Sequence, residues 1–388
     1  MDYQFEIQIQ LNNNYKQLKT LFMIKNRMRI FGFIAGLLSI GTLFTACEPT
    51  EPGGNEGESS KELSEGFYVM TEGLWGQNNS ALDFYSIETE QTHFDLFMLE
   101  NGTGLGETAN DMIEVGNKLF IVVNGSNCVM VADKKTCKKL AMIPINQGEN
   151  PQPRCIAYHN GSVFVSCFDG YVYKINASTY QIEKTALTQG RNPEAIAVCN
   201  GKLFVSNTGG LDFPNFDNSI SVMNPDDLSL ICKIEGLLNP GQIAVCGNKI
   251  IVQARGEYDY ATYSYKDSEI VCIDATSLQI EQRANIVANA FTIIGDKVLY
   301  IESDSQMNNY YKTVPINNLQ ASPQTLIESN AANLPTSPYY IGSDSEYIYI
   351  TDSKDYVSNG ECFVFDHNGV LKYRFETSIN PKKVIALQ

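Results

Sequence analysis

Short runs in which apolar and polar residues alternate fill the chain from Gly66 to its end, each bounded by Gly, Asn or Asp. A period of two is the mark of half-buried strands. The runs themselves recur: residues 154–168 (RCIAYHNGSVFVSCF), 194–208 (EAIAVCNGKLFVSNT) and 241–255 (GQIAVCGNKIIVQAR) superpose without gaps around Asn160-Gly161, Asn200-Gly201 and Gly247-Asn248. Fainter copies surround Gly116-Asn117, Gly295-Asp296 and Ser345-Glu346. These pairs suit two-residue hairpin turns, which need φ > 0 and therefore Asn or Gly. Each unit continues into a third strand that ends on Asp133, Asn176, Asn224, Asp274 or Asp366, residues whose side chains bond their own backbone in Asx turns. A repeat of about 40 to 50 residues carrying four strands is a β-propeller blade.

The first copy, from Gly66, begins at its second strand, and the C-terminus supplies the missing one: Asn380-Pro381-Lys382-Lys383-Val384-Ile385 aligns with Asn192-Pro193-Glu194-Ala195-Ile196-Ala197. Third strands from Ala81, Cys128, Tyr171, Ile220, Ile270, Lys312 and Cys362 count seven blades, so residues 66–388 allot about 46 residues to each, the usual blade length. The expected fold is all-β: a seven-bladed β-propeller of four-stranded antiparallel blades, with the first blade closed by the C-terminal strand.

Ahead of it, Lys25, Arg27 and Arg29 precede an apolar run, Ile30–Leu43, too short for a bilayer and right for a signal-peptide core. It ends in Leu43-Phe44-Thr45-Ala46-Cys47, which resembles a bacterial lipobox with Phe where Leu is usual. The expected organisation is a leader over 1–46, a flexible acidic tether over 47–65 with lipid on Cys47, and the propeller over 66–388. Cleavage after Ala46 as an ordinary secretory signal is the alternative. Residues before Met23 carry no targeting logic, which leaves Met23 and Met28 as candidate starts.

The chain carries a net charge of −16, and loss of a +3 leader leaves −19. So acidic a body disfavours nucleic acid. The basic cluster Lys134, Lys135, Lys138 and Lys139 falls on a turn and outer strand, where lysines guard an edge. Nine cysteines follow Cys47, several at apolar strand positions such as Cys199, Cys246 and Cys272. They read as small buried hydrophobes rather than a disulfide framework, with Cys155 and Cys167 the one pair able to meet across a hairpin. There is no GxSxG, HExxH or P-loop, and Gly102, Gly104 and Gly106 join blades rather than a strand to a helix. His93, His159 and His367 fall in different blades. The expectation is no enzyme, no metal and no resident cofactor; Asp212, Asp217, Asp304, Asp352 and Asp355 read as turn aspartates rather than a Ca²⁺ set.

The loops between second and third strands all emerge on one face, and they hold the aromatics: Trp75, Phe213, Phe216, Tyr258, Tyr260, Tyr263, Tyr265, Tyr310, Tyr311 and Tyr356. Rigid aromatics interleaved with amides and charges on a stiff scaffold make a recognition surface. The expected ligand contacts are Trp75, Asn124, Asn127, Asn207, Phe213, Phe216, Arg255, Tyr258, Tyr260, Tyr310, Asp352 and Tyr356. Phe213–Asn218 and Arg255–Tyr265 form one wall, and Asn124 and Asn207 supply amides nearer the axis.

Glu72-Gly73 with Asn78-Asn79-Ser80, Gly106–Asp111, Val123–Asn127, Asn207–Gly210 with Pro214–Asn218, and Arg255-Gly256-Glu257-Tyr258 resemble motifs of the YncE-like, YVTN-type seven-bladed propellers, and more narrowly the BtuG-type surface cobalamin-binding lipoproteins. Thr71 departs from the Asn expected before Glu-Gly, and the loop after Glu302 matches nothing in that pattern. The resemblance implies a lipid-anchored protein on the outer-membrane surface that binds a corrinoid and passes it to a TonB-dependent transporter. A protein- or glycan-interaction propeller without a small ligand is the alternative; single-stranded DNA binding, known in some such propellers, conflicts with the charge.

Overall fold

The computed structural model describes residues 62–148, 150–259, 264–304, 306–328 and 334–388. The leader, Cys47, nearly all of the tether, Tyr260 and Tyr263 lie outside them. Among the described residues no helix is long and apolar enough to cross a membrane.

Seven four-stranded antiparallel sheets form a ring, blades 1 to 7 in chain order. Their inner strands are Pro381–Leu387, Ala109–Val115, Pro153–His159, Pro193–Cys199, Pro240–Cys246, Ala290–Ile294 and Pro338–Ser343. Blade 1 is closed as expected: Gly66–Thr71 pairs with Pro381–Leu387, Val69 opposite Val384.

The sequence builds each sheet differently from axis to rim. Second strands such as Lys118–Val123 and Ser162–Cys167 are apolar almost throughout and buried on both faces, because each lies between two neighbouring sheets. Outer strands such as Ile182–Leu187 have no fully buried residue. The core is accordingly seven separate apolar clusters, one at each junction between blades. At the junction of blades 7 and 1, Phe67 lies within 6.4 Å of the rings of Tyr85, Tyr347, Tyr349, Tyr373 and Phe375.

The hairpin pairs divide by turn type. Asn160 (φ 44) and Gly161 (φ 81) are both left-handed, as are Asn200 (φ 46) and Gly201 (φ 66), the type I′ pattern. In Gly116-Asn117, Gly247-Asn248 and Gly295-Asp296 only the glycine has positive φ, the type II′ pattern in which the first central residue must be Gly. All five expected Asx turns form; Asp274 Oδ1, for example, accepts from the amides of Thr276 (3.0 Å) and Ser277 (2.7 Å).

Two elements were not legible beforehand. A short helix, Leu96–Asn101, capped by Asp95, packs Leu96 and Phe97 into the core between blades 1 and 2 and replaces length missing from the three-residue outer strand Gln91–His93. A small hairpin, Glu257–Asp259 with Ser264–Lys266, rises from blade 5. Cys155 and Cys167 are free thiols rather than a disulfide.

Removing residues 381–388 would leave Gly66–Thr71 with an unpaired edge and strip Val384 and Leu387 from two junction cores. The truncated protein is expected to lose its cooperative thermal transition and to aggregate. A melting temperature within about 5 °C of the intact chain would show that the ring closes without this strand.

Candidate functional site

The inner strands enter from one face of the ring, and there their pairing is irregular. In blades 1, 2, 3, 4, 5 and 7 the register to the second strand shifts by one residue just after the entry, whereas blade 6 pairs without a shift. A bulge inserts an extra residue and re-aims side chains. Here it leaves two successive residues per blade beside the axis: Lys382 and Lys383, Asn110 and Asp111, Arg154 and Cys155, Glu194 and Ala195, Gly241 and Gln242, Tyr339 and Tyr340. The residue just before the strand often has positive φ, as at Gln152 (φ 46), Asn192 (φ 48), Asn239 (φ 53) and Asn380 (φ 57), which favours Asn there.

The upper layer is a ring of paired charges. Arg154 holds Glu194 through two contacts, Nε to Oε2 at 3.1 Å and Nη2 to Oε1 at 2.8 Å, with both side chains more than nine-tenths buried. The Arg154 guanidinium also lies 4.4 Å from the Phe168 ring centre. Across the axis Lys382 donates to Glu72 Oε1 at 2.6 Å, and the Tyr339 hydroxyl donates to Oε2 of the same carboxylate. In the layer below, Lys383 meets Asp111 at 2.9 Å, and Gln242 exchanges hydrogen bonds with the backbone of Phe291, at 2.6 and 3.1 Å.

Burial pushes the Glu194 carboxyl up, but the Arg154 partner, with Arg255 and Lys382 nearby, more than offsets this and holds it below the ordinary carboxylate range. Burial would depress the Lys383 ammonium, and Asp111 instead holds it above an ordinary lysine. Burial and the Glu72 charge raise the Tyr339 hydroxyl well above its usual value, and burial, with Asp111 and Glu194 adding, raises the Cys155 thiol.

The aromatic loops stand around this axis on the same face. Trp75 is exposed, on a loop fastened by Glu107, which accepts from the amides of Gly76 (2.8 Å) and Asn78 (2.6 Å). Phe213 and Phe216 meet edge to face at 5.7 Å, and Tyr258 and Tyr265 do so at 5.0 Å on the blade 5 hairpin. Asn239 ties the two loops, donating to Asp217 O at 2.9 Å while its own carbonyl accepts from the Arg255 amide at 3.0 Å. Tyr356 packs on Tyr339 at 6.1 Å and so reaches the axis. The Tyr310 hydroxyl donates to Asp304 at 3.0 Å; donations from Asn308, Gln306 and Tyr310 hold that carboxyl down at about 2.

Four of the expected contacts also make hydrogen bonds within the protein. Asn207 is fully buried, its amide occupied by Ser219, Ser221 and Thr188. Asn124 donates to Pro153 O at 3.0 Å, Asn127 accepts from the Gln152 amide at 2.9 Å, and buried Asp352 accepts from Thr336, Ser337 and Lys354. All four sit at the ends of second strands or in the loops just beyond, where they fasten the adjoining segments. Arg255 belongs to the axis rather than to an outer wall: its guanidinium lies over Gly241, where a Cβ would come within 2.6 Å of Cζ. Glu72, Arg154, Glu194, Lys382 and Tyr339 were missed; aligning the repeats on the residue after each entry Pro would have exposed all but Glu72, which follows the second strand of blade 1. Among the described residues no three His, Cys, Asp or Glu side chains are grouped to hold a metal ion.

A sequence family described as a domain of unknown function (DUF5074) matches residues 65–249, the stretch from the second strand of blade 1 to the inner hairpin of blade 5. No curated protein matches the sequence. Similar solved structures include the computationally designed Ika8 protein (13% identity, TM-score 0.53, covering 84% of this chain and 92% of that one). Another is a quinonprotein alcohol dehydrogenase-like protein from Bacteroides thetaiotaomicron VPI-5482 (14%, 0.54, 84% and 78%). A third is a chain of the Mitotic Checkpoint Complex (10%, 0.53, 81% and 97%). At these identities the likeness shows the fold alone.

Glu194→Gln would strand a buried guanidinium, and the expected cost is about 3–5 kcal/mol. Replacing Arg154 and Glu194 together by Leu should cost less than the single change. Because the folded carboxyl lies below its unfolded value, its stabilisation is full above the unfolded value and is lost as pH falls through the folded one. Chemical denaturation across acidic pH should therefore show wild type and Glu194→Gln converging; a constant gap would refute the assignment.

Proposed function

We propose that this chain is a non-enzymatic binding propeller, anchored by lipid at Cys47 to the outer-membrane surface, that seats a bulky nutrient over the axial ring. A corrinoid is the candidate ligand, and a TonB-dependent transporter the candidate recipient. The observation that carries the reading is the row of bulges, which gathers charged and hydroxyl groups at the axis inside a surround of loop aromatics. A broad, rigid ring fringed with amides would contact Trp75, Phe213, Phe216, Tyr258 and Tyr356 while its polar edge met the axial groups. A preorganised site of this kind loses little entropy on binding.

A second reading, docking of a macromolecule, draws on the tips of the same loops. Trp75, Leu211, Phe213, Met307 and Val357 are each at least half exposed there, more apolar surface than isolated side chains on a solvated loop would need. The two readings are compatible if the rim meets the transporter while the axis holds the nutrient.

Titration of the purified protein with cobalamin is expected to give saturable heat and a shift in the corrin absorption at micromolar concentration; neither signal would remove the corrinoid reading. Phe216→Ala and Tyr258→Ala are each expected to weaken binding by about 1–3 kcal/mol with the melting temperature preserved. Unchanged affinity in the double variant would move the contact to the Trp75 and Tyr356 side. For the anchor, Cys47→Ser is expected to release the protein from the membrane fraction of producing cells, and retention there would count against lipidation.

A further inference from the structure

We infer that the axial ring receives an oxyanion, a phosphate or carboxylate group of the ligand, on the guanidinium of Arg255. The inference rests on the reading that the axis is the ligand seat, and it names the chemistry of one subsite within it.

The upper layer holds three cations, Lys382, Arg154 and Arg255, against two carboxylates, Glu72 and Glu194. Lys382 is committed to Glu72 and Arg154 to Glu194. Among the described residues Arg255 has no ion pair and its side chain makes no hydrogen bond. It is nonetheless not a freely swinging surface arginine. Its backbone amide is bound to Asn239 O at 3.0 Å, the next amide to Leu238 O at 3.1 Å, and its guanidinium fills the space over Gly241. Its charge reaches Glu194, whose carboxyl it helps hold down, but that acid is already engaged by Arg154. A held, partly buried guanidinium with its N–H donors uncommitted suits a carboxylate or phosphate, which it binds through paired N–H donors. The excess positive charge is the more telling in a chain of net charge −16.

The bulge pattern says where the anion-bearing ligand would lie. Blade 6 has no bulge and so adds no extra side chain to the upper layer between Arg255 of blade 5 and the Tyr339–Tyr356 pair of blade 7. One layer below, that position is closed by Gln242, bonded to Phe291 of blade 6. Arg255 of blade 5 and the Tyr339–Tyr356 pair of blade 7 are thus the upper-layer groups on either side of blade 6. A flat group against the tyrosines, with its negative charge directed to Arg255, fits these chemistries together.

The test is calorimetric titration of the purified protein with inorganic phosphate and, separately, with citrate. At least one should bind, and the one that does identifies the source as phosphate or carboxylate. Arg255→Gln should weaken that binding by about tenfold or more. Gly241→Ala should weaken it as well while leaving every charge in place, because a Cβ there displaces only the tip of the Arg255 side chain. Retained melting temperatures would show that both variants fold, and Gly241→Ala supplies the answer if Arg255→Gln does not. No heat from either anion, or equal affinity in wild type and both variants, would overturn the inference. Cobalamin titrations in parallel separate the two claims. Equal cobalamin affinity in wild type and Arg255→Gln, with no anion binding, keeps the corrinoid reading and removes this subsite. Arg255-dependent anion binding without cobalamin binding does the reverse.

Discussion

The pairing of Pro381–Leu387 with Gly66–Thr71 is the contact on which the rest of the molecule depends. A blade is a small sheet with two apolar faces, and neither can be buried except by a neighbour on each side. Seven such sheets satisfy one another only if the last meets the first, and here that junction is made within a sheet by the two ends of the chain. It is also the most aromatic of the seven junctions, with Phe67 among five rings. Asp83 adds a polar tie, accepting from the Ser378 amide at 2.6 Å and from the Asp95 amide at 2.8 Å. Burial pushes its carboxyl up to about 6 despite those donors.

Closure fixes the axis, and the axis then imposes its own geometry. Inner strands converge there, so side chains that a flat sheet would spread apart crowd together. Six bulges relieve the crowding and turn two residues per blade toward the centre. Charges taken into such a place are costly unless paired, which explains why Arg154 with Glu194, Lys382 with Glu72, and Lys383 with Asp111 occur as couples. Buried pairs of this kind add little net stability over apolar residues of similar volume.

The loops around the axis are ordered by short polar ties rather than by a core of their own. Glu107 fastens the Trp75 loop, and Arg191 fastens the Phe213–Phe216 loop through Asp212 and the Phe216 carbonyl. Large aromatic surface is thereby displayed at low entropic cost, the requirement of a binding rim.

Much of the architecture was legible in the chain because its causes are local. Turn pairs such as Asn160-Gly161, Asx residues such as Asp274 and runs such as KLFIVV each carry their own backbone or burial preference, and the repeat shows where the pattern restarts. Even ring closure was readable, since Asn380–Ile385 copies the entry of blade 4. The helix Leu96–Asn101 escaped because its six residues carry too little periodicity to distinguish it from a loop. The site escaped for another reason. Lys382, Arg154, Glu194 and Glu72 are up to 310 residues apart in sequence, and each alone is an ordinary charged residue in or beside a strand. Strand pairing inside blade 1 sets Lys382 beside Glu72, but only the closed ring brings Arg154 of blade 3 to Glu194 of blade 4 and Tyr339 of blade 7 to Glu72, just as only the fold shows Asn207 and Asp352 to be buried and hydrogen-bonded within the protein. Sequence determined the blades, their number and the face that bears the loops; tertiary structure decided which side chains meet, because proximity at an axis is a property of the ring and of no single repeat.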